Sequence, residues 1–220
     1  MTTSIPLAAE PGTAKGVEGV ILTGGKSRRM GRDKKALQLG NGTVFGRILH
    51  AMKPLVTEVR AVGSQRPQAL DGDAATIGWQ PDLRAASGPL TGIHTALVTS
   101  KVHRVLIVAC DLPFVTTAFL RLLVDDGSPH ADVVLPRRDG RALPVCAVYD
   151  VSCRQRLERY LDAGHFAARG FVASVSARYI DEASWAAVDP EGRSFFNLNT
   201  PEDYDRAKRL AVAEPVSDER

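Results

Sequence analysis

Residues 17–40 read VEGVILTGGKSRRMGRDKKALQLG. Val20, Ile21 and Leu22 form a short apolar run that suits a strand covered on both faces. Thr23, Gly24 and Gly25 end it. Adjacent glycines permit a tight turn and leave no Cβ to keep a ligand off the backbone. Lys26, Arg28, Arg29, Arg32, Lys34 and Lys35 follow, opposed only by Asp33. A glycine turn after a strand, then a cluster of cations, is a place to hold phosphates.

Two common phosphate loops do not fit. A Walker A loop needs its second glycine to be followed at once by lysine. Gly19 and Gly24 have the spacing of its two glycines, but Gly25 stands where the lysine belongs. With Gly25 as the second glycine, Val20 fills the first slot. A dinucleotide fingerprint, Gly-x-Gly-x-x-Gly, is missing too.

The run Leu22-Thr23-Gly24-Gly25-Lys26-Ser27-Arg28-Arg29-Met30-Gly31-Arg32-Asp33-Lys34 resembles the signature L-x-G-G-x-S-x-R-M-G-x-D-K of nucleotidyltransferases with a Rossmann-like fold. Within them it is most similar to the molybdenum cofactor guanylyltransferases, whose Gly-Gly it shares in place of Ala-Gly. Three later stretches resemble the same family in the same order. Asp82 precedes Gly88-Pro89-Leu90-Thr91-Gly92-Ile93, similar to an aspartate before G-P-L-x-G-I/L. Cys110-Asp111-Leu112-Pro113 is similar to C-D-x-P. Phe195-Phe196-Asn197-Leu198-Asn199-Thr200-Pro201-Glu202-Asp203 is similar to F-x-N-x-N-T-P-E-D. The likeness spans about residues 17–210.

The residues carry physical meaning of their own. Arg104 to Cys110 (RVLIVAC) is the clearest buried strand, and Asp111 ends it. In an open α/β sheet ligands bind beyond the carboxyl ends of the strands. A carboxylate there suits Mg²⁺ facing a triphosphate, or else caps a helix expected over 115–125. Asp82 can accept a pair of N–H donors from a guanine edge, or serve as a turn residue after Pro81. Thr200 to Asp203 is a helix start, with Thr as cap, Pro first and acids in the opening turn. Asn197 and Asn199 share a face if that segment is extended. Gly63 and Ser64 fall where the family has a nucleotide-contacting loop, although its usual asparagine is absent.

Elsewhere the pattern predicts helices over 43–52, 90–98, 151–161 and 165–172. Strands are expected over 58–63, 75–78, 132–136, 144–149 and 177–180. Apolar strands alternating with helical stretches predict a single three-layer α/β domain with a mostly parallel sheet. It is expected over 17–210, with a flexible lead-in over 1–16 and a flexible tail over 211–220.

Composition narrows the class. The 220 residues suit one domain, and the net charge of +3 is concentrated in the first loop, which favours a local anion site over a nucleic-acid surface. Three cysteines, Cys110, Cys146 and Cys153, form no C-x-x-C pair. The odd count argues against a disulfide framework and for a reducing cytoplasm. Cys146 reads as a small core residue. The five histidines read as ordinary surface or helix residues. No run approaches the roughly 20 apolar residues of a membrane span.

The resemblance implies transfer of GMP from GTP to molybdenum-bearing molybdopterin, with release of pyrophosphate and Mg²⁺ as cofactor. It assigns Leu22, Thr23, Gly24, Gly25, Gly63 and Asp82 to GTP. Arg29 and Lys34 go to the triphosphate and the departing pyrophosphate, Asp111 to the metal, and Asn197 and Asn199 to the acceptor. Molybdoenzymes or their chaperones are candidate recipients of the product. A cytidylyl transfer to molybdopterin, a nucleotide transfer to a sugar phosphate, and a non-catalytic nucleotide-binding module are the alternatives. Nucleotide selectivity in pyrophosphate release separates them.

Overall fold

The computed structural model describes residues 14–24, 37–66, 77–85, 88–128 and 130–212. Lys34, Arg29 and Gly25 lie outside them. The elements run β1 (Ala14–Leu22), β2 (Gln38–Leu39), β3 (Gly42–Thr43), α1 (Val44–Met52), β4 (Val59–Val62), β5 (Gly78–Gln80), α2 (Pro89–Thr99) and β6 (Val102–Ala109). They continue with α3 (Thr117–Val124), β7 (Val133–Arg138), β8 (Arg141–Ala142), β9 (Cys146–Asp150), α4 (Arg154–Asp162), α5 (Ala168–Ala173), β10 (Ala177–Ile180), α6 (Glu182–Trp185) and α7 (Pro201–Val212). The main sheet has the order β10-β7-β9-β6-β1-β4-β5, with β8 paired to β7. Every neighbouring pair along that order is parallel except those that β9 makes with β6 and β7. This is the expected three-layer α/β domain.

The near-continuous apolar strands follow from cover on both faces. Ile21, Leu106, Val108 and Val148 turn to a core shared with α1, α3, α6 and α7. Val20, Leu22, Val105, Ile107 and Tyr149 turn to the core of α2, α4 and α5. Period-two alternation splits one strand between two cores. A buried ion pair ties three elements together: the Arg60 guanidinium of β4 donates to Glu18 of β1 and, at 3.0 Å, to the carbonyl of Ala96 in α2. No helix among the described residues is long and apolar enough to cross a membrane.

Local chemistry sets the helix starts. The hydroxyl of Thr43 accepts from Gly46 N–H at 2.9 Å and caps α1, a contact worth about 1 kcal/mol. Asp203 accepts from the N–H groups of Asn199 and Thr200, both at 2.9 Å, while Thr200 Oγ1 accepts from Asp203 N–H at 3.2 Å. This is a reciprocal cap on α7, as the Thr-Pro-Glu-Asp run predicts.

Some boundaries differ from expectation. Strand pairing begins earlier than residue 17, with Ala14 opposite Val102, and α7 runs on to Val212. The third strand falls at 78–80 rather than 75–78, because Gly78, Trp79 and Gln80 pair with Arg60, Ala61 and Val62. An edge strand is defined by what its neighbour offers. The segment expected as one helix over 151–161 starts as a 3-10 turn, Val151–Cys153, before α4. The helix after Pro113 begins at Thr117, capped by Thr116, whose hydroxyl accepts from Phe119 N–H.

Candidate active site

The carboxyl ends of β1, β4, β5 and β6 share one edge of the sheet, and backbone hydrogen bonds weld their first loop residues together. Thr23 donates to the carbonyl of Val62 twice, through N–H at 2.7 Å and Oγ1 at 3.1 Å. Gly63 N–H donates to Gln80 O at 3.2 Å, and Cys110 N–H to Leu22 O at 3.0 Å. Leu198 N–H donates to Asp111 O at 2.8 Å. Leu22, Thr23, Gly63, Asp111 and the Asn197–Asn199 segment therefore form one chain of contacts.

Gly63 abuts the first turn. A Cβ there would overlap Thr23 Oγ1 and stand 2.8 Å from Gly24 N. The absence of a side chain is a packing requirement at this point. A larger residue in place of Gly63 would push the turn out of the strand end.

Asp82 completes this side. Its Oδ2 lies 3.9 Å from where a Cβ on Gly24 would be, and its Oδ1 lies 3.6 Å from the same point on Gly92. Oδ1 is buried and has no hydrogen-bond partner among the described residues. Burial raises the carboxyl above its usual range. A carboxylate set between two glycines, with one shielded oxygen that has no donor among the described residues, has the chemistry to receive N–H groups from a ligand. Beside it, α2 starts at Gly88 and Pro89, and its glycine N-cap supplies no side-chain hydrogen bond to the first-turn N–H groups.

Asp111 follows β6 after Cys110. The alternative role of capping the next helix falls away, since Thr116 fills it. On the far side, Asn197 is half-buried, Leu198 fully buried and Asn199 exposed, the alternation of an extended segment. Asn197 Oδ1 is buried without a hydrogen-bond partner among the described residues. Phe196, just before it, meets Phe114 edge-on at 5.4 Å between ring centroids. Arg47 donates to Pro113 O at 3.1 Å and lies over the Phe114 ring. The two loops beyond Asp111 and before Asn197 are thus locked to each other.

The structure brings Leu22, Thr23, Gly24, Gly63, Asp82, Asp111, Asn197 and Asn199 to one sheet edge. The sequence offers no reading of Thr95, and His94, expected as an ordinary surface or helix residue, is a buried residue of α2. Thr95 Oγ1 accepts from Leu83 N–H at 2.9 Å, and its only sequence mark is a hydroxyl four places after Thr91. His94 is buried beneath Arg84 and Glu158, and burial with the Arg84 charge holds it below the usual histidine range. Cys146 lies in the core, where burial pushes its thiol up to about 12.

Comparison with known proteins gives the same picture from outside. The family model for the MobA-like NTP transferase domain matches residues 19–180. A probable molybdenum cofactor guanylyltransferase of Pelotomaculum thermopropionicum is 34% identical over 88% of this chain and 92% of its own. The molybdenum cofactor guanylyltransferase of Desulfosudis oleivorans is 32% identical over 91% and 98%. Among solved structures, the molybdopterin-guanine dinucleotide biosynthesis protein A of Archaeoglobus fulgidus superposes with a TM-score of 0.77 at 27% identity, covering 90% of this chain and all of its own. A 2-C-methyl-D-erythritol 4-phosphate cytidylyltransferase of Thermus thermophilus, 16% identical with a TM-score of 0.64, shares the fold. A match over most of the chain, with relatives this similar along nearly their full lengths, makes this protein a member of the MobA-like NTP transferase family.

Proposed function

We propose that this protein transfers GMP from GTP to the terminal phosphate of molybdenum-bearing molybdopterin. An acceptor phosphate oxygen attacks the α-phosphorus of GTP, the bond to the β-phosphate oxygen breaks, and pyrophosphate leaves. The acceptor phosphate is already anionic, so no strong base is required. Alignment and charge neutralisation carry the reaction.

The observation behind this reading is the sheet edge where Thr23, Gly63 and Asp82 meet while Asp111 and Asn197 close the other side. Leu22, Thr23 and Gly24 hold the nucleotide through backbone groups, and Asp82 receives the N–H groups of guanine. Arg29 and Lys34 are assigned to the triphosphate by the family signature alone. The guanylyltransferase names of the relatives favour GTP and molybdopterin as substrates.

Mg²⁺ fits the residues present. Asp111 lies two residues past β6 at this edge, and Asn197 Oδ1, buried and without a partner among the described residues, belongs to the segment bonded to the Asp111 backbone. A hard dication is commonly held by one or two carboxylates together with substrate phosphates and water. Asp111 is the residue that would hold it. Bound there, Mg²⁺ would offset negative charge on the phosphates.

Pyrophosphate release with GTP, CTP and ATP, in the presence of molybdopterin acceptor, tests the proposal. GTP is expected to support turnover well above the other two. Preference for CTP, or GTP binding with no release, would overturn it.

A further inference from the structure

We propose that Thr95 is a positioning residue for guanine selection, its hydroxyl fixing the 82–84 turn that carries the Asp82 carboxylate. This rests on the reading of Asp82 as the guanine contact.

Thr95 is fully buried on α2. Its hydroxyl has one hydrogen to give and two lone pairs. The hydrogen goes to the carbonyl of Thr91 one turn back, at 2.9 Å. That choice leaves the lone pairs for Leu83 N–H, which donates at 2.9 Å. The residue after Asp82 is thereby pinned to a rigid helix by a bond whose direction the helix itself sets.

Other anchors on the turn are weaker. The Leu83 side chain is 49% exposed. Arg84 reaches Asp162 at 2.6 Å and Glu158 at 3.4 Å on α4, but both carboxylates are more than half exposed, and such pairs contribute little. The carboxylate cannot orient itself through Oδ1, which has no partner among the described residues. Its place between Gly24 and Gly92 then depends on the backbone of the turn, and the half-buried Leu83–Thr95 bond ties that backbone to a fully buried helix side chain. An error on the order of 1 Å in a recognition group is enough to cost selectivity.

Thr95→Val keeps the shape and removes the acceptor. Thr95→Ser restores the acceptor and removes only a methyl group. Dissociation constants for GTP and for ITP, which lacks the guanine 2-amino group, are measured by calorimetry on the full chain with Mg²⁺ present. In the wild type the ratio reports how well the carboxylate pairs with that amine. Thr95→Val is expected to shrink the ratio by about tenfold, the size of one buried hydrogen bond. Thr95→Ser is expected to keep it. A purely structural role would lower melting temperature, or weaken both nucleotides alike, and leave the ratio unchanged; that result overturns the proposal. Asp82→Asn separates the two layers of the argument. If Asp82→Asn loses the ratio and Thr95→Val does not, Thr95 alone is wrongly assigned. If Asp82→Asn keeps the ratio, the reading of Asp82 fails and the Thr95 assignment falls with it.

Discussion

The backbone N–H of Leu198 donates to the carbonyl of Asp111 at 2.8 Å. Through this bond the last apolar segment before α7 is fixed to the loop that ends β6, and Asn197 is held next to it in sequence. The Asp111 backbone and the asparagine segment are fixed to each other. Asp111→Ala is expected to lower Mg²⁺-dependent pyrophosphate release by at least about 100-fold, as when a charge-stabilising group is removed from a reacting centre. Circular dichroism should stay native, since the Leu198 bond uses the main chain. Full turnover in the variant would remove Asp111 from the reaction.

Lys34→Ala is expected to reduce turnover more than it disturbs folding. Steady-state rates beside a thermal melt measure both. A variant that melts early with normal turnover would contradict the assignment to phosphate.

Gly63→Ala is expected to weaken GTP by about tenfold or more. The new methyl group would meet Gly24 N at 2.8 Å and Thr23 C at 2.9 Å, which are backbone atoms unable to step aside. Overpacking of this kind costs about 1–3 kcal/mol. Titration with GTP checks it, with Gly42→Ala as the control, because a Cβ there meets nothing within 4 Å.

With Asp82 as the proposed guanine contact, its raised carboxyl is expected to give GTP binding a pH dependence of defined sign. Guanine N–H donors favour the ionised form, so binding lowers the pKa and releases a proton. Affinity is complete above the raised pKa of the free protein and falls as pH falls through it, in a range above the ordinary 3.8. In the unliganded protein the same shift works against stability: the ionised form is disfavoured by folding, so stability is lost as pH rises past 3.8. Asp82→Asn should therefore flatten the binding profile relative to wild type and raise the melting temperature at neutral pH. An unchanged profile would contradict this.

Much of this layout can be read in the chain, for a physical reason. Val20–Leu22 and Val105–Val108 are apolar on both faces, and only a covered central strand accommodates that. The α7 start is written in side chains that satisfy their own backbone. Three things are not local. An apolar run carries no direction, so nothing in residues 144–149 announces that β9 runs against its neighbours. The place of β5 depends on the register offered by β4. The role of Thr95 depends on a turn twelve residues earlier.

The Glu18–Arg60 pair supplies a stability test. Arg60→Ala leaves Glu18, 2% exposed, as a buried charge without its partner, and is expected to cost about 3–5 kcal/mol in urea unfolding. Glu18→Leu combined with Arg60→Met should recover most of it. A single variant as stable as wild type would refute the buried-pair reading.

Cys146 and Cys153 lie fully buried, with thiols pushed up to about 12. The thiolate is the reactive form, so alkylation at pH 8 should spare both until denaturant is added. Mass spectrometry of the native protein reads the outcome directly.

β1 has β4 on one side and β6 on the other. A ribosome releases β1 and β4 before β6, so β1 gains its second neighbour only after residue 109 has emerged. Until then, half of its edge is open to any passing segment, including another nascent chain. The strand that leads into the candidate site therefore completes its pairing only when a segment about 90 residues later in the chain arrives, a non-local contact of the kind that slows folding.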